Sequence, residues 1–187
     1  MLHLLSAGIA NPLKRTFAWC GSVDHQERLD SIDGALKRCG YSVAYCAHFS
    51  GGRSWPDAAA NGGGYPLLLF SQATIDLLQL HDASADISDP VHIEYEHNKS
   101  LSKTGPPIYR TFRPSTVIPR EGLGCGSQLP AIFRIEGRGE MVGCAEELKD
   151  EIEGAGLRNF QFRPLIEYLD WSDKMHQERV ARLRKPT

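Results

Sequence analysis

The sequence predicts an α+β protein with a mixed or largely antiparallel sheet and short helices. Short apolar runs alternate along the chain with helical stripes and glycine-rich turns. The composition is ordinary for a globular protein, with 41% hydrophobic and 24% charged residues. A length of 187 residues suits one compact domain. We expect that domain to combine an N-terminal lobe over 1–64 with a second lobe over 65–187.

The first lobe shows a strand–helix–strand pattern. Residues 16–20 and 41–49 are rich in strand formers, and a helix is predicted between them. Asp24 is predicted to cap the start of that helix, and the apolar stripe of the helix ends at Cys39. The glycine-rich segment 50–64 is predicted to be a loop that separates the two lobes.

The second lobe opens with a buried strand at 65–70 and a short helix that Ser71 can cap. The apolar residues predicted to form the stripe of this helix are Ile75, Leu77, Leu78 and Leu80. An acidic loop over 82–89 follows, and residues 91–96 predict another strand.

The C-terminal half carries the clearest pattern. Strands are predicted at 108–112, 131–135 and 159–165, and a final helix is predicted over 170–185. Another helix precedes the third strand, and its apolar stripe consists of Ala145, Leu148, Ile152 and Ala155.

A weak internal repeat relates two segments of this lobe. Segment 65–95 resembles segment 138–168 at an offset of 73 residues, in the order strand, small capping residue, helix, loop, strand. Residues 93–95 recur identically as 166–168. Repeated β-α-β units would explain the pattern, and chance identity is the alternative.

Charge, hydropathy and cysteine usage narrow the classes of function. A net charge of −2 argues against a protein that binds nucleic acid by neutralising phosphates. No apolar run reaches the roughly 20 residues that span a bilayer. The first twelve residues lack the basic start of a signal peptide, and five cysteines favour reduced thiols. We therefore expect a cytoplasmic protein with no nucleic-acid or membrane partner.

One segment could support catalysis. His92, Glu94 and Glu96 share one face of a predicted strand, and His-x-Glu is half of a zinc-deaminase signature. Its Pro-Cys-x-x-Cys partner is absent, so a metal-dependent enzyme would require His48 or a cysteine to converge there. A solvated strand face is the alternative, and we expect no metal, no cofactor and no catalytic residue.

A protein-binding surface is the other candidate. Trp55 lies in the glycine-rich loop, where an exposed tryptophan would anchor an interface and a buried one would join the core. Acidic residues could form one negative face that suits a basic partner, or could simply aid solubility. The candidate partner-binding residues are Trp55, Asp82, Asp86, Glu94, Glu96, Glu147, Asp150 and Glu151.

Two segments of the second lobe resemble a known group of proteins. Residues 132–135, a turn, a small capping residue, an acidic helix and residues 156–164 resemble the C-terminal pattern of bacterial immunity proteins of polymorphic toxin systems. The similar groups are the Imm-eleven type and the double-CxxCG family. Residues 66–78 look like their earlier strand–helix unit, so the resemblance covers about residues 65–170. No CxxCG pair occurs in this chain, so the zinc site of that family is not implied.

The resemblance implies a protein without enzymatic activity that binds a cognate toxin and neutralises it by stoichiometric occlusion. Two alternatives from other classes stay open. One is the metal-dependent enzyme built on the strand around His92. The other is a structural or adaptor protein of a secretion or phage-like assembly, which would assemble with itself in isolation.

Overall fold

The computed structural model describes residues 1–7, 19–25, 45–50, 52–60, 68–95, 101, 103–124, 129–138 and 141–183. Over these residues the chain combines strands with three α-helices, in mixed and antiparallel sheets. The predicted α+β class with short helices is therefore confirmed.

The described elements follow one another as strands with three interspersed helices. The strands are β1 (Leu2–Ala7), β2 (Trp19–His25), β3 (Tyr45–Ser50), β4 (Ala58–Ala60), β5 (Leu68–Ser71), β6 (Asp86–Ile87), β7 (His92–Tyr95), β8 (Tyr109–Arg113), β9 (Val117–Ile118), β10 (Ile132–Ile135), β11 (Val142–Ala145) and β12 (Phe160–Pro164). The helices are α1 (Gln72–His81), α2 (Glu146–Gly154) and α3 (Leu165–Leu183), and a 3₁₀ turn spans Arg120–Gly124.

The largest sheet has the strand order β12-β1-β11-β10-β9. Its pairs are antiparallel except for β9 and β10, which are parallel. Strand β1 lies inside this sheet because it pairs with β11 on one side and β12 on the other. Residues that start the chain thus complete a sheet formed otherwise by its C-terminal half. The lobe boundary at residue 64 stays a prediction, and β1 pairs across it.

Two smaller sheets complete the strand arrangement. One has the order β2-β3-β7, with β3 and β7 parallel. The other is antiparallel throughout, with the order β4-β5-β8-β6. The hydrogen bonds from the amides of Asp57 and Ala58 to the Arg158 carbonyl join β4 to the start of β12. The four-stranded sheet is therefore tied to the five-stranded one.

One hydrophobic core joins α1 and α2 to the five-stranded and the four-stranded sheets. Its sheet residues include Leu5, Phe70, Phe112, Ile132, Val142 and Cys144. Its helical residues are Ile75 and Leu78 of α1 and Leu148 and Ile152 of α2. These spacings of three and four residues place each helical pair on one face, which is the buried side of the helix. The other two residues of the predicted α2 stripe do not belong to it, since Ala145 ends strand β11 and Ala155 follows the helix and is exposed.

A second core covers the opposite face of the five-stranded sheet. Leu165 and Leu169 of α3 pack there with Leu4, Phe133 and Ile135. Gly143 lies on this face, and an added Cβ would stand 2.5 Å from Cε2 of Phe133. The sheet is thus buried on both sides, which explains why β1 is hydrophobic at consecutive positions.

Several local expectations are corrected. Asp24 lies in strand β2, in register with Cys46, so it does not cap a helix; the remainder of that predicted helix lies outside the described residues. Leu80 is 83% exposed because it falls two residues beyond Leu78, a rotation of about 200° around the helix. Asp86 belongs to strand β6 rather than to a loop.

The internal repeat holds for its first half only. Each unit consists of a strand that runs directly into a helix, at 68–81 and 142–154. Residues 93–95 lie in strand β7, whereas the identical residues 166–168 lie in helix α3. Leu165 and Leu169 are buried four residues apart, so packing against the sheet favours a helix there.

Candidate partner-binding site

The α2 acidic surface, defined as Glu147, Asp150, Glu151 and Glu153, is the most strongly charged exposed patch of helix α2. All four residues are exposed, whereas Leu148 and Ile152 are fully buried on the opposite side. The helix is therefore held by its apolar side and turns its carboxylates to solvent. A fixed, exposed set of like charges creates a field that steers a partner of opposite charge.

Helix α1 meets this surface through His81. Nε2 of His81 lies 2.8 Å from Oε2 of Glu151. The next residue is Asp82, which therefore follows directly on the residue of α1 that contacts the α2 acidic surface. That these residues form one partner-binding face stays a prediction.

Asp82 also organises its own loop. Its carboxylate accepts hydrogen bonds from the Ser115 amide, at 2.7 Å, and from the Ser84 and Ser115 hydroxyls. Burial raises the pKa of Asp82, but the bonds from Ser115 and Ser84 outweigh burial and hold the pKa below its ordinary value. The carboxylate is thus ionised in neutral solution and fastens the chain after α1 to the chain after β8.

Glu146, the first residue of α2, forms a polar cluster that the sequence did not predict. Its carboxylate lies 2.9 Å from Nε2 of His3 and 2.7 Å from Nζ of Lys149. The hydrogen bonds from Lys149 and His3 lower the pKa of Glu146 to about 2. The cluster therefore ties strand β1 to helix α2. The Glu–Lys spacing of three residues was visible in the sequence, whereas the contact with His3 was not.

His3 and Cys144 are buried partners in the register of β1 and β11. His3 is 7% exposed, and its Nδ1 has no hydrogen-bond partner among the described residues. Burial raises the pKa of the Cys144 thiol to about 12, with the Glu146 charge as the second cause. Cys144 is therefore a protonated core residue at neutral pH rather than a nucleophile.

Trp55 does not form an exposed anchor. It is 6% exposed and packs edge-on against Phe49 and Tyr95, at ring-centroid distances of 5.5 and 5.2 Å. Of the two interpretations of Trp55, the structure has the buried one, in which the ring joins the core. Although Trp55 lies in the segment between β3 and β4, burying so large an aromatic ring removes more apolar surface from water than an exposed position would.

The other predicted acidic residues lie on separate elements. Asp86 is exposed on β6, and Glu94 is exposed on β7 of the three-stranded sheet. Glu96 lies outside the described residues. Among the described residues, Asp86 and Glu94 thus lie on strands β6 and β7, whereas Glu147, Asp150 and Glu151 lie on α2.

Strand β7, which carries His92, pairs in parallel with β3. Nε2 of His92 lies 3.9 Å from Oε1 of Glu94, and both side chains are exposed. The parallel pairing of β3 with β7 sets Cys46 beside His92 and His48 beside Glu94. No group of three potential metal ligands occurs among the residues for which the structure describes side chains.

The described helices include none long and apolar enough to cross a bilayer. Comparisons with protein-family models, curated proteins and solved structures gave no significant match to this chain.

Proposed function

We propose that this protein binds a cognate bacterial toxin and neutralises it by stoichiometric occlusion, without catalysis. The observation that supports the proposal is the α2 acidic surface, an exposed row of carboxylates on a helix anchored by a buried apolar side. The likeness of residues 65–170 to immunity proteins supports it from the sequence.

The physical basis is electrostatic complementarity with a basic cleft. A toxin that acts on nucleic acid carries positive charge in its active site, and an acidic inhibitor can occupy that cleft in place of the substrate. Opposed charges raise the association rate and fix the orientation of the complex. Leu148 and Ile152 hold α2 in place before the partner arrives, so little ordering cost accompanies binding.

Co-expression tests the function directly. The reading frame adjacent to this gene is expressed in a sensitive host, with and without this protein. We expect toxicity alone, rescue together, and a complex of one-to-one stoichiometry on co-purification. A harmless neighbour, or a toxic one that this protein neither rescues nor binds, contradicts the proposal.

Charge reversal tests the surface. Replacing Asp150, Glu151 and Glu153 with lysine should slow association with the toxin about tenfold at low salt and less at high salt. The matched control reverses three exposed glutamates on other elements, Glu121, Glu136 and Glu167. Equal association rates for the two triple variants would show that α2 is not the contact surface.

A metal-dependent enzyme is the second candidate function, and the register of β3 and β7 favours it. Cys46 and His48 are the residue types that the enzyme alternative required next to His92 and Glu94. Cysteine, histidine and glutamate are all zinc ligands.

The test measures zinc bound by the purified protein and by its His92→Ala variant, with the His81→Ala variant as control. Stoichiometric zinc that only His92→Ala loses would support an enzyme. Equal, sub-stoichiometric zinc in all three proteins would eliminate it.

A further inference from the structure

Helix α3 exposes large side chains of the types that dominate protein interfaces. Trp171 is 56% exposed and Met175 is 45% exposed. Tyr168 is half-buried beside Trp171, with ring centroids 5.6 Å apart. Exposed tryptophan, tyrosine, methionine and arginine are enriched at the centres of interfaces. We name Tyr168, Trp171, Met175, Arg179 and Arg182 the α3 stripe.

The α3 stripe lies along one side of the helix, next to its buried side, and Tyr168 packs at the margin of the second core. Its members are separated by three, four, four and three residues, which keeps them on one face over about 21 Å. Leu165 and Leu169 mark the buried side, and beyond Leu169 no described residue of α3 is buried. The second half of the helix thus extends past the core with this face open.

The first half of the helix is fixed in place before any partner binds. Arg120 forms ion pairs with Asp170 and Asp173, and Arg138 forms a further ion pair with Asp173. These contacts and the two buried leucines anchor the first half of α3 to the body of the protein. A rigid helix loses little conformational freedom on binding.

The α3 stripe is complementary to itself. Its spacing reads the same in both directions around Met175. Two antiparallel copies centred there would set Met175 against Met175, Trp171 against Arg179, and Tyr168 against Arg182. Each arginine of one copy then meets an aromatic ring of the other, which is the arrangement of a cation–π contact.

We propose that the α3 stripe binds a second copy of this chain, as a two-fold dimer of antiparallel α3 helices. The contact is isologous, since each copy supplies the same residues, and it closes after two chains. The structure already contains one such contact within the chain, with the Arg163 guanidinium 5.9 Å from the centroid of the Tyr168 ring. The proposal is independent of the toxin, because it involves no surface of α2.

The expected dimer is weak. One helix pair lies at or below the lower end of the roughly 1,200–2,000 Å² that stable interfaces bury. We therefore expect a dimer that forms in a concentration-dependent way, with a dissociation constant on the order of micromolar.

Sedimentation velocity over a concentration series tests the dimer. We expect a shift from monomer to dimer, and Arg179→Glu should raise the dissociation constant at least about tenfold. Lys174→Glu, the same charge change at an exposed site off the α3 stripe, is the control. Circular dichroism checks that both variants keep their helices.

Disulfide trapping tests the geometry. In an antiparallel pair centred on Met175, Met175→Cys brings two cysteines within the roughly 7 Å between Cα atoms that a disulfide requires. Ala181→Cys lies on another exposed face of α3 and is the control. The unmodified chain gives the background from its own five cysteines. We expect Met175→Cys alone to form a covalent dimer above that background.

Three results would overturn the dimer. The first is a monomer at concentrations of about 100 μM and above, well beyond micromolar dissociation constants. The second is a dimer that Arg179→Glu and Lys174→Glu weaken equally, or in which Ala181→Cys crosslinks as fast as Met175→Cys. The third is an open series of oligomers, which a closed two-fold contact cannot produce. The first two results do not bear on toxin neutralisation, whereas an open series of oligomers would favour the structural or adaptor alternative.

Discussion

The β5–α1 unit (68–81) and the β11–α2 unit (142–154) share a direct junction between a strand and a helix but form it with different side chains. In each, a central strand of four residues runs directly into a helix. The residue before the helix is Ser71 in one and Ala145 in the other, with φ/ψ of −61°/157° and −76°/163°. Neither side chain makes a capping hydrogen bond. The path into the helix is therefore set by the sheet and the core rather than by the capping residue.

The two junctions differ in how their polar groups are satisfied. Ser71 is buried, and its hydroxyl donates to the Asp57 carboxylate at 2.9 Å, which also accepts the Arg158 amide at 2.9 Å. At the second junction the polar contacts come from Glu146, at the protein surface, with His3 and Lys149. A buried hydroxyl needs a partner within the protein, whereas a surface carboxylate can exchange its partners for water.

The largest expected loss of stability comes from a substitution in strand β11. Strands β5 and β11 start 74 residues apart, one more than the offset of the sequence repeat, so Gly143 corresponds to the buried Leu69 of the first unit. Gly143→Ala would force a Cβ to within 2.5 Å of the buried Phe133 ring, so we expect a loss of about 3 kcal/mol in unfolding free energy. Urea denaturation followed by circular dichroism measures it.

Gly154→Ala is the control, because nothing lies within 4 Å of its Cβ position. It should stabilise the helix by about 0.5 kcal/mol. Equal denaturation midpoints for the two variants would show that the strand tolerates a side chain at 143 and that the two units are interchangeable there.

The next largest loss of stability is expected at the junction between β5 and α1, where Ser71 is buried. Asp57→Ala should cost about 2 kcal/mol, because the Ser71 hydroxyl and the Arg158 amide both lose their acceptor. Ser71→Ala should cost about 1 kcal/mol, since it removes one donor. Ala145→Ser at the other junction should change stability by less than about 0.5 kcal/mol. If Ala145→Ser stabilised the protein by as much as Ser71→Ala destabilises it, both hydroxyls would be acting as caps.

A smaller change in stability is expected only at acid pH, at the junction between β11 and α2 that contains Glu146. Its folded pKa of about 2 lies below the ordinary 4.5, so its contribution is complete above pH 4.5 and disappears as the pH falls toward 2. The stability gap between the unmodified chain and Glu146→Gln should therefore narrow between about pH 6 and about pH 3. Denaturation midpoints at both pH values measure the gap. A gap that stays constant, or one that Glu147→Gln reproduces, would contradict this assignment.

The smallest expected contribution to stability comes from the direct contact between the two units. His81 and Glu151 form a pair at the surface, 2.8 Å apart. A double-mutant cycle with His81→Ala and Glu151→Ala should give a coupling free energy of about 0.5 kcal/mol or less, because solvent screens such pairs. A coupling well above about 1 kcal/mol would mean that this pair, and not only the shared core, holds the units together.

The sequence predicted these units because their signals are local. Leu148 and Ile152 reveal a helix by their spacing, and the strand formers before them reveal β11. The same reasoning failed for Leu80, where an apolar residue near a stripe was assigned to it, and for residues 166–168, where identity to a strand segment hid a helix. Local identity does not fix secondary structure when the face that becomes buried differs.

The exposed side of α2 was predictable for the same reason, whereas its role in binding a partner stays a prediction. The exposure of Glu147, Asp150 and Glu151 follows from the helix period, so the sequence located them correctly on one solvent-facing side. Trp55 could not be assigned, because a tryptophan in a loop is buried or exposed according to which residues fold over it. Its partners Phe49 and Tyr95 come from two different strands.

By itself, the sequence determined the class of fold, the two strand–helix units and the charged side of α2, since periodicity and composition act over a few residues. Only the tertiary structure decided that β1 completes a sheet from the other end of the chain. It also decided that His3 meets Glu146, although 143 positions separate them. Strand pairing and buried polar contacts join residues that are distant in the chain. Their choice depends on the packing of the whole domain and leaves no local pattern to read.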